Sequence, residues 1–315
     1  METASIVGKY VKTFTQLGQN GNLHNLKNLI LWNEVSDEEK QAAEEVGLKI
    51  YTYQEVLEAG AAHPEQELIH PTKDSCFLLC YTSGTTGDPK GVMYTHYNMM
   101  VMVRESEDVM NTTSNDRFIS YLPMAHIMEQ CVLSITVTYG CKCGFYQGDP
   151  LKLTDDAKTL KPTIFVSVPR LFNKIFDKIQ AQIATLPPNK QNLVNGAIET
   201  KTNNLRNKAQ YTHVLYDTLV FKKFKAILGG EVKTMITGSA PIAKNVIEFF
   251  KIAFCCPMLE VYGQSETTGL ATSTVARDPN SGTVGGPCAG VKIRLRDVPE
   301  MNYFTTDLPN PRGEI

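Results

Sequence analysis

The apolar run Cys76-Phe77-Leu78-Leu79-Cys80-Tyr81 stops abruptly at Thr82-Ser83-Gly84-Thr85-Thr86-Gly87-Asp88-Pro89-Lys90-Gly91, and no other junction constrains the chain as tightly. A short apolar run bounded by turn residues predicts a strand covered on both faces. The string after it combines Ser and Thr hydroxyls, glycines and a lysine, so backbone N–H groups, hydroxyls and a cation are available to cradle phosphates. Glycine there permits φ > 0 and close approach of the backbone to a ligand. A Walker A loop requires G-x-x-x-x-G-K-[ST]; here Pro89 precedes Lys90 and Gly91 follows it, so that reading fails on spacing. A Ser/Thr/Gly-rich string also serves as a plain strand-to-helix connection. Its length and order favour the phosphate reading, with the next helix starting near His96.

Other segments predict alternating strands and helices. Leu29-Ile30-Leu31-Trp32 reads as a strand, Asp37 to Val46 as a helix with Ser36 as N-cap, and Leu48 to Tyr51 as a second strand. Further buried strands are predicted at 118–122, 163–168, 234–237 and 258–262, which argues for a parallel α/β sheet. After Pro169, Leu171, Phe172, Ile175, Phe176, Ile179 and Ile183 form one apolar stripe at helical spacing, ending before a loop at Pro187-Pro188. Residues 191–226 read as helical, with Lys201, Arg206, Lys208, Lys222, Lys223 and Lys225 as a solvated face. Val291, Ile293 and Leu295 alternate with basic residues as in a half-buried strand, and Ile315 reads as the start of another.

With 42% hydrophobic and 20% charged residues, the 315-residue chain has an ordinary globular composition. Its net charge of −2 supplies no field for nucleic acid or anionic lipid, so any anion site is local. The eight cysteines contain no C-x-x-C pair and read as buried thiols in a reducing compartment. No run approaches the roughly 18 apolar residues of a membrane span.

The string at 81–91 resembles the phosphate-binding signature of the adenylate-forming (AMP-binding) superfamily. Two segments extend the resemblance in the expected order: Gly238-Ser239-Ala240-Pro241, similar to the part that packs beside adenine, and Val261-Tyr262-Gly263-Gln264-Ser265-Glu266-Thr267, similar to a Tyr-Gly-x-Thr-Glu motif with Ser265 in the threonine position. The resemblance implies that Thr82, Ser83, Gly84, Thr85, Thr86, Gly87 and Lys90 embrace ATP phosphates. It further implies that Tyr262 stacks near adenine beside Gly263 and Gln264, that Ser265 bonds the α-phosphate, and that Thr82 and Glu266 hold Mg²⁺. The chemistry is coherent, because carboxylate attack on the α-phosphate brings two anions together and needs a cation and oriented donors. Leu122-Pro123-Met124-Ala125-His126-Ile127 is similar to the segment bordering the acyl pocket, which implies that His126 helps position the carboxylate. A histidine beside apolar residues is also a common structural feature.

Val166 to Ile175, Leu122 to Glu129 and Gly282-Thr283-Val284-Gly285-Gly286-Pro287 resemble the long-chain fatty-acid:CoA ligase branch. The implied fold is α/β: the central part of the large N-terminal adenylation domain, with layered parallel and mixed sheets and flanking helices. Its approximate subregions are 1–70, an incomplete α/β opening; 71–260, the nucleotide- and acyl-binding core; and 261–315, the start of a β-rich part. Relative to the family pattern, the chain is expected to be a fragment without the ribose-binding aspartate, the hinge and the C-terminal lysine domain. The implied activity is ATP-dependent activation of a long-chain fatty acid through an acyl-adenylate, with transfer to CoA. ATP, Mg²⁺ and CoA are the implied cofactors and co-substrates, with no nucleic-acid partner. The family context implies an intracellular protein, at the cytosolic face of the endoplasmic reticulum or another organelle membrane by peripheral contact, or cytoplasmic when soluble. A non-catalytic nucleotide-binding fragment and adenylation of an aryl or amino acid remain open as alternatives.

Overall fold

The computed structural model describes residues 2–83 and 87–315, so Gly84, Thr85 and Thr86 of the expected phosphate loop lie outside the described residues. The chain divides into two compact units, Met1–His70 and Pro71–Ile315.

In the first unit β1 (Thr3–Ile6), α1 (Val11–Gln19), β2 (Asn28–Leu31), α2 (Asp37–Glu45), β3 (Lys49–Thr52) and α3 (Tyr53–Ala61) alternate. The three strands pair in parallel in the order β1-β2-β3. Val11, Leu29, Leu31, Ala43 and Leu48 form its core. As expected, Ser36 caps α2, and the cap is a reciprocal box in which the Glu39 carboxylate accepts from the Ser36 backbone N–H.

The second unit opens with the antiparallel hairpin β4 (Cys76–Thr82) and β5 (Lys90–Thr95), followed by α4 (His96–Met110), β6 (Arg117–Ser120), α5 (Ile127–Thr138), β7 (Lys142–Phe145) and α6 (Leu153–Leu160). Next come β8 (Ile164–Ser167), α7 (Pro169–Ala184), α8 (Pro188–Lys208), α9 (Val214–Tyr216), a π-helical turn (Asp217–Phe221) and α10 (Lys222–Lys225). The last elements are β9 (Thr234–Thr237), α11 (Lys244–Phe254), β10 (Met258–Tyr262), β11 (Thr272–Ser273) and β12 (Gly286–Pro287).

Strands β8, β9 and β10 run parallel, and β11 and β12 continue the sheet antiparallel, so the sheet is mixed. Alternation along these strands feeds two cores. Phe165, Met235 and Met258 enter one with Phe172 and Phe250, whereas Ile164, Val166, Ile236 and Leu259 enter the other with Met99, Met102 and Ile135. The predicted stripe of α7 is buried at Phe172, Ile175, Ile179 and Ile183.

Several expectations are corrected. Strand β4 is not covered on both faces: among the described residues it pairs only with β5, and Phe77, Leu79 and Tyr81 are exposed while Cys80 is buried. The sequence alone does not tell one buried face from two in so short a run. Pro188 is not in a loop but opens α8, where its fixed φ and missing N–H suit the first helical position. Residues 291–295 form no strand, because their backbone meets no neighbouring strand among the described residues; pairing is limited to the isolated bridges Arg296 to Glu314 and Val298 to Tyr303. Cys76 is exposed rather than buried, and all eight cysteines are free thiols.

The largest departure is Lys201, expected on a solvated face and found fully buried. Its ammonium donates to Asp217 Oδ1 at 2.5 Å and to the Ile252 carbonyl at 2.6 Å, and lies 4.2 Å from the Phe221 ring centre. It therefore ties α8 to the π-helical turn and to α11. Among the described residues no helix is long and apolar enough to cross a membrane.

Candidate functional site

Three sequence segments far apart in the chain meet where β10 ends. After Tyr262, Gly263 turns the backbone so closely that a Cβ on it would lie 2.2 Å from the Gly269 carbonyl oxygen, which leaves glycine as the residue that fits. Ser265–Thr267 then form one 3₁₀ turn, closed by Thr268 and Gly269 at positive φ. The Thr267 hydroxyl accepts from the Gln264 backbone N–H at 2.9 Å, and Gln264 Nε2 donates to the Tyr262 hydroxyl at 2.9 Å. Gln264 thus fixes the tyrosine of the motif.

The β4–β5 hairpin is fastened to this turn from one side. Tyr94 Oη donates to the Ser265 carbonyl at 2.7 Å, and Cys80 Sγ donates to the Ala125 carbonyl at 2.9 Å. Burial, reinforced by Cys80, Cys131 and Glu266, raises the Tyr94 phenol to about 12 against the lowering effect of the Ser265 bond. Tyr94 therefore remains a protonated donor at neutral pH. Cys131 Sγ on α5 donates to the Thr268 carbonyl at 3.4 Å, so that helix holds the far side of the turn.

His126 is the N-cap of α5, its Nδ1 accepting from the Met128 backbone N–H at 3.2 Å. In the neutral ring the proton is then on Nε2. One turn along α5, Glu129 is buried and hydrogen-bonded by the Ser120 hydroxyl; burial drives its carboxyl pKa up.

His126, Ser239, Gly263, Gln264 and Ser265 line one cavity of about 150 Å³ with Ile127, Met128, Val261 and Gly269. Ser239 sits there at φ +72, two residues after the end of β9. Gly238 packs against β10, since a Cβ would lie 2.7 Å from Val261 Cγ2. Ala240 and Pro241 are exposed beside it. Thr82 and Lys90 form the last pair of the hairpin at the base of the loop, with Ser83 and Gly87 inside it. These loop residues and Glu266 do not line the cavity. Glu266 is exposed and, among the described residues, forms no ion pair.

Among the described residues no three His, Cys, Asp or Glu side chains converge as a metal cluster. An exposed carboxylate such as Glu266 and a hydroxyl such as that of Thr82 are oxygen donors of the kind that suit a Mg²⁺ held chiefly by phosphates, which keeps most of its other ligands as water.

Behind this polar cavity is an apolar one of about 60 Å³, whose walls include Met102, Met110, Val132, Ile135 and Ile236. The two share Met128, Val261 and Gly269. Three methionines in the combined walls, Met102, Met110 and Met128, make the lining adaptable in shape.

Sequence reasoning missed Tyr94 and Cys80, and the structure shows both as the fasteners of the site. The one available signal was the alternation of Val92 and Tyr94 with Gly91 and Met93, which marks β5. His96, near which the helix after the loop was expected to start, is the first residue of α4 and packs edge-on against Phe77 at 5.1 Å; the cap is Thr95.

The family model of AMP-binding enzymes matches residues 21–315. Peroxisomal long chain acyl-CoA synthetase 6 of Arabidopsis thaliana is 42% identical over 269 residues, covering 85% of this chain and 38% of the plant protein. Long-chain-fatty-acid–CoA ligase 5 of Mus musculus is 41% identical over 294 residues, covering 92% of this chain and 42% of the mouse protein. The chain thus spans about two fifths of the length of these curated relatives. Among solved structures, the adenylation domain of a carboxylate reductase from Mycobacterium chelonae superposes with a TM-score of 0.69 at 23% identity, over 99% of this chain and 46% of that one. The A domain of the carboxylic acid reductase from Segniliparus rugosus, solved with AMP and a co-purified carboxylic acid, gives 0.67 at 22% identity, over 99% and 47%. Both share the α/β fold with this chain.

Proposed function

The chain belongs to the AMP-binding enzyme family, and we propose that it carries the nucleotide- and acid-binding core for ATP-dependent activation of a long-chain fatty acid and its transfer to CoA. The observation that carries this reading is the junction of two cavities, one polar at the motif turn and one apolar behind it, sharing Met128, Val261 and Gly269. A carboxylate at that junction has its head among hydroxyls and backbone donors and its first methylenes among apolar side chains. The names of the plant and mouse relatives favour a fatty acid over an aryl or amino acid.

In this proposal the fatty carboxylate oxygen attacks the α-phosphorus of ATP, pyrophosphate leaves, and the CoA thiol then displaces AMP from the acyl carbon. The loop from Thr82 to Lys90 holds the outer phosphates, with Lys90 offsetting their charge. Ser265 donates to the α-phosphate, Tyr262 faces the base between Gln264 and the Gly238-Ser239-Ala240-Pro241 turn, and His126 orients the carboxylate. Mg²⁺ at Glu266 and Thr82 would supply neutralisation of phosphate charge. The same proposal treats residues 1–315 as part of an adenylation domain, whose longer protein reaches an organelle membrane by peripheral contact.

The test combines Mg-ATP titration with hydroxylamine trapping of acyl-adenylate. Lys90→Ala and Glu266→Ala are each expected to weaken Mg-ATP binding about tenfold or more; unchanged affinity in both sinks the site. Palmitoyl hydroxamate is the expected product. Benzoyl hydroxamate instead would reassign the acid, and Mg-ATP binding with no hydroxamate from any acid would favour nucleotide binding without catalysis.

A further inference from the structure

A second apolar hollow, sharing no lining residue with the cavities at the motif turn, is built from α7, α8 and the connection between them, the π-helical turn, α10 and the 3₁₀ turn that follows it. Its volume is about 360 Å³, within the range of small-ligand sites. Ile183, Leu186, Val194, Val220, Phe224 and Ile227 form its walls. Leu193 and Leu219 stand at its lips, 47% and 57% exposed. The charged side chains in the lining are Lys190 and Lys223, both exposed, and no carboxylate lines it. Among the described residues neither ammonium has an ion-pair partner.

The hollow is held open by packing beneath it. A π-helical turn is uncommon and recurs at functional positions; here it carries Leu219 and Val220 into the lining. The buried Lys201 anchors that turn through Asp217 at its start and Phe221 at its end. The walls are thus preorganised, which lowers the cost of binding.

We propose that this groove is a second binding site, distinct from the cavity at the motif turn, for one long-chain carboxylate, its tail along the Leu186 to Phe224 walls and its head between Lys190 and Lys223. Apolar walls with an uncompensated positive mouth complement a single-chain anion. The concavity suits one chain rather than a bilayer surface, against which an amphipathic convex face would lie. The inference does not require the motif site to turn over a fatty acid, and a map of where a chain binds separates the two.

The experiment uses the 315-residue chain and laurate carrying a terminal diazirine, irradiated and mapped by peptide mass spectrometry, with unlabelled laurate titrated calorimetrically. Label is expected within 183–194 and 219–227. Lys190→Gln/Lys223→Gln is expected to reduce that label and weaken laurate at this site about tenfold while leaving Mg-ATP affinity unchanged. Leu219→Asp, at an exposed lip where folding is undisturbed, is expected to remove it. Dodecyltrimethylammonium should fail to compete. Label confined to residues 102–135 and 261–270 would overturn the second site and support the motif site alone. Equal competition by the cationic amphiphile, or label unchanged in both variants, would also overturn it. Capture of the chain by phosphatidylserine vesicles, lost in the double variant, with no groove label from free laurate, would reassign the surface to membranes.

Discussion

The hydroxyl of Tyr94, near the end of strand β5, donates to the backbone carbonyl of Ser265 at 2.7 Å across 171 residues of sequence. This bond joins two of the three motif segments without using a motif side chain. Tyr94→Phe keeps the ring and leaves the carbonyl short of its donor, a cost of about 1 kcal/mol. We expect a lowered urea midpoint and Mg-ATP binding weakened several-fold. A midpoint shift with no change in nucleotide affinity would show that the bond supports the fold alone.

Gly263→Ala places a Cβ 2.2 Å from the Gly269 carbonyl oxygen, so the turn bearing Ser265 and Glu266 must open. Overpacking of this kind costs about 1–3 kcal/mol. The far-ultraviolet circular dichroism spectrum should stay native-like at low temperature while Mg-ATP affinity falls about tenfold. Wild-type affinity in this variant would contradict the role given to the turn.

His126 has an observed role as a cap and a proposed one at the carboxylate, and the two are separable. Its ring caps α5, and His126→Ala should cost about 1 kcal/mol in a denaturation experiment. Asparagine is a good capping residue, so His126→Asn should recover most of that stability. If the ring also orients a carboxylate, hydroxamate formation stays low in both variants; recovery of activity with the asparagine would limit His126 to capping.

Lys201 is fully buried and its partner Asp217 half-buried, and loss of the lysine should be large. Lys201→Ala removes the ammonium from among Asp217, the Ile252 carbonyl and Phe221, and is expected to destabilise the chain by about 3–5 kcal/mol. Burial pushes the Asp217 carboxyl up, but the Lys201 bond, the His213 N–H and the Lys201 charge together hold it below its usual value. A carboxyl depressed in the fold contributes stability that is fully present above its unfolded pKa, near ~3.9, and is lost as pH falls through the lower folded value. The advantage of wild type over Asp217→Asn in urea midpoint should therefore hold steady down to about pH 5 and shrink below about pH 4. An advantage that grows on acidification would refute the assignment.

Legibility followed periodicity. Strands β8, β9 and β10 are apolar on both faces, and helix α7 has a one-sided stripe, so each announces its own burial. The Ser36 cap was readable because capping is local. Strand β4 was readable as a strand but not in its exposure, which depends on how many partners it has rather than on its residues. The Val291 to Leu295 alternation failed for the same reason: a strand requires a neighbour. Of the candidate site, the cavity gathers His126, Ser239, Gly263, Gln264 and Ser265, all drawn from motifs, whereas Tyr94 and Cys80 belong to none.

By itself the amino-acid order determined the elements, the glycine turns and the motif residues, because those rest on bonding and sterics within a few positions. Tertiary structure alone decided that the β4–β5 hairpin fastens to the Ser265 turn through Tyr94, that a polar cavity backs onto an apolar one, and that Lys201 is buried rather than solvated. Such relations join residues tens to hundreds of positions apart. A lysine or tyrosine has the same local propensity whether its polar end meets water or a partner, and only the packed fold supplies the partner.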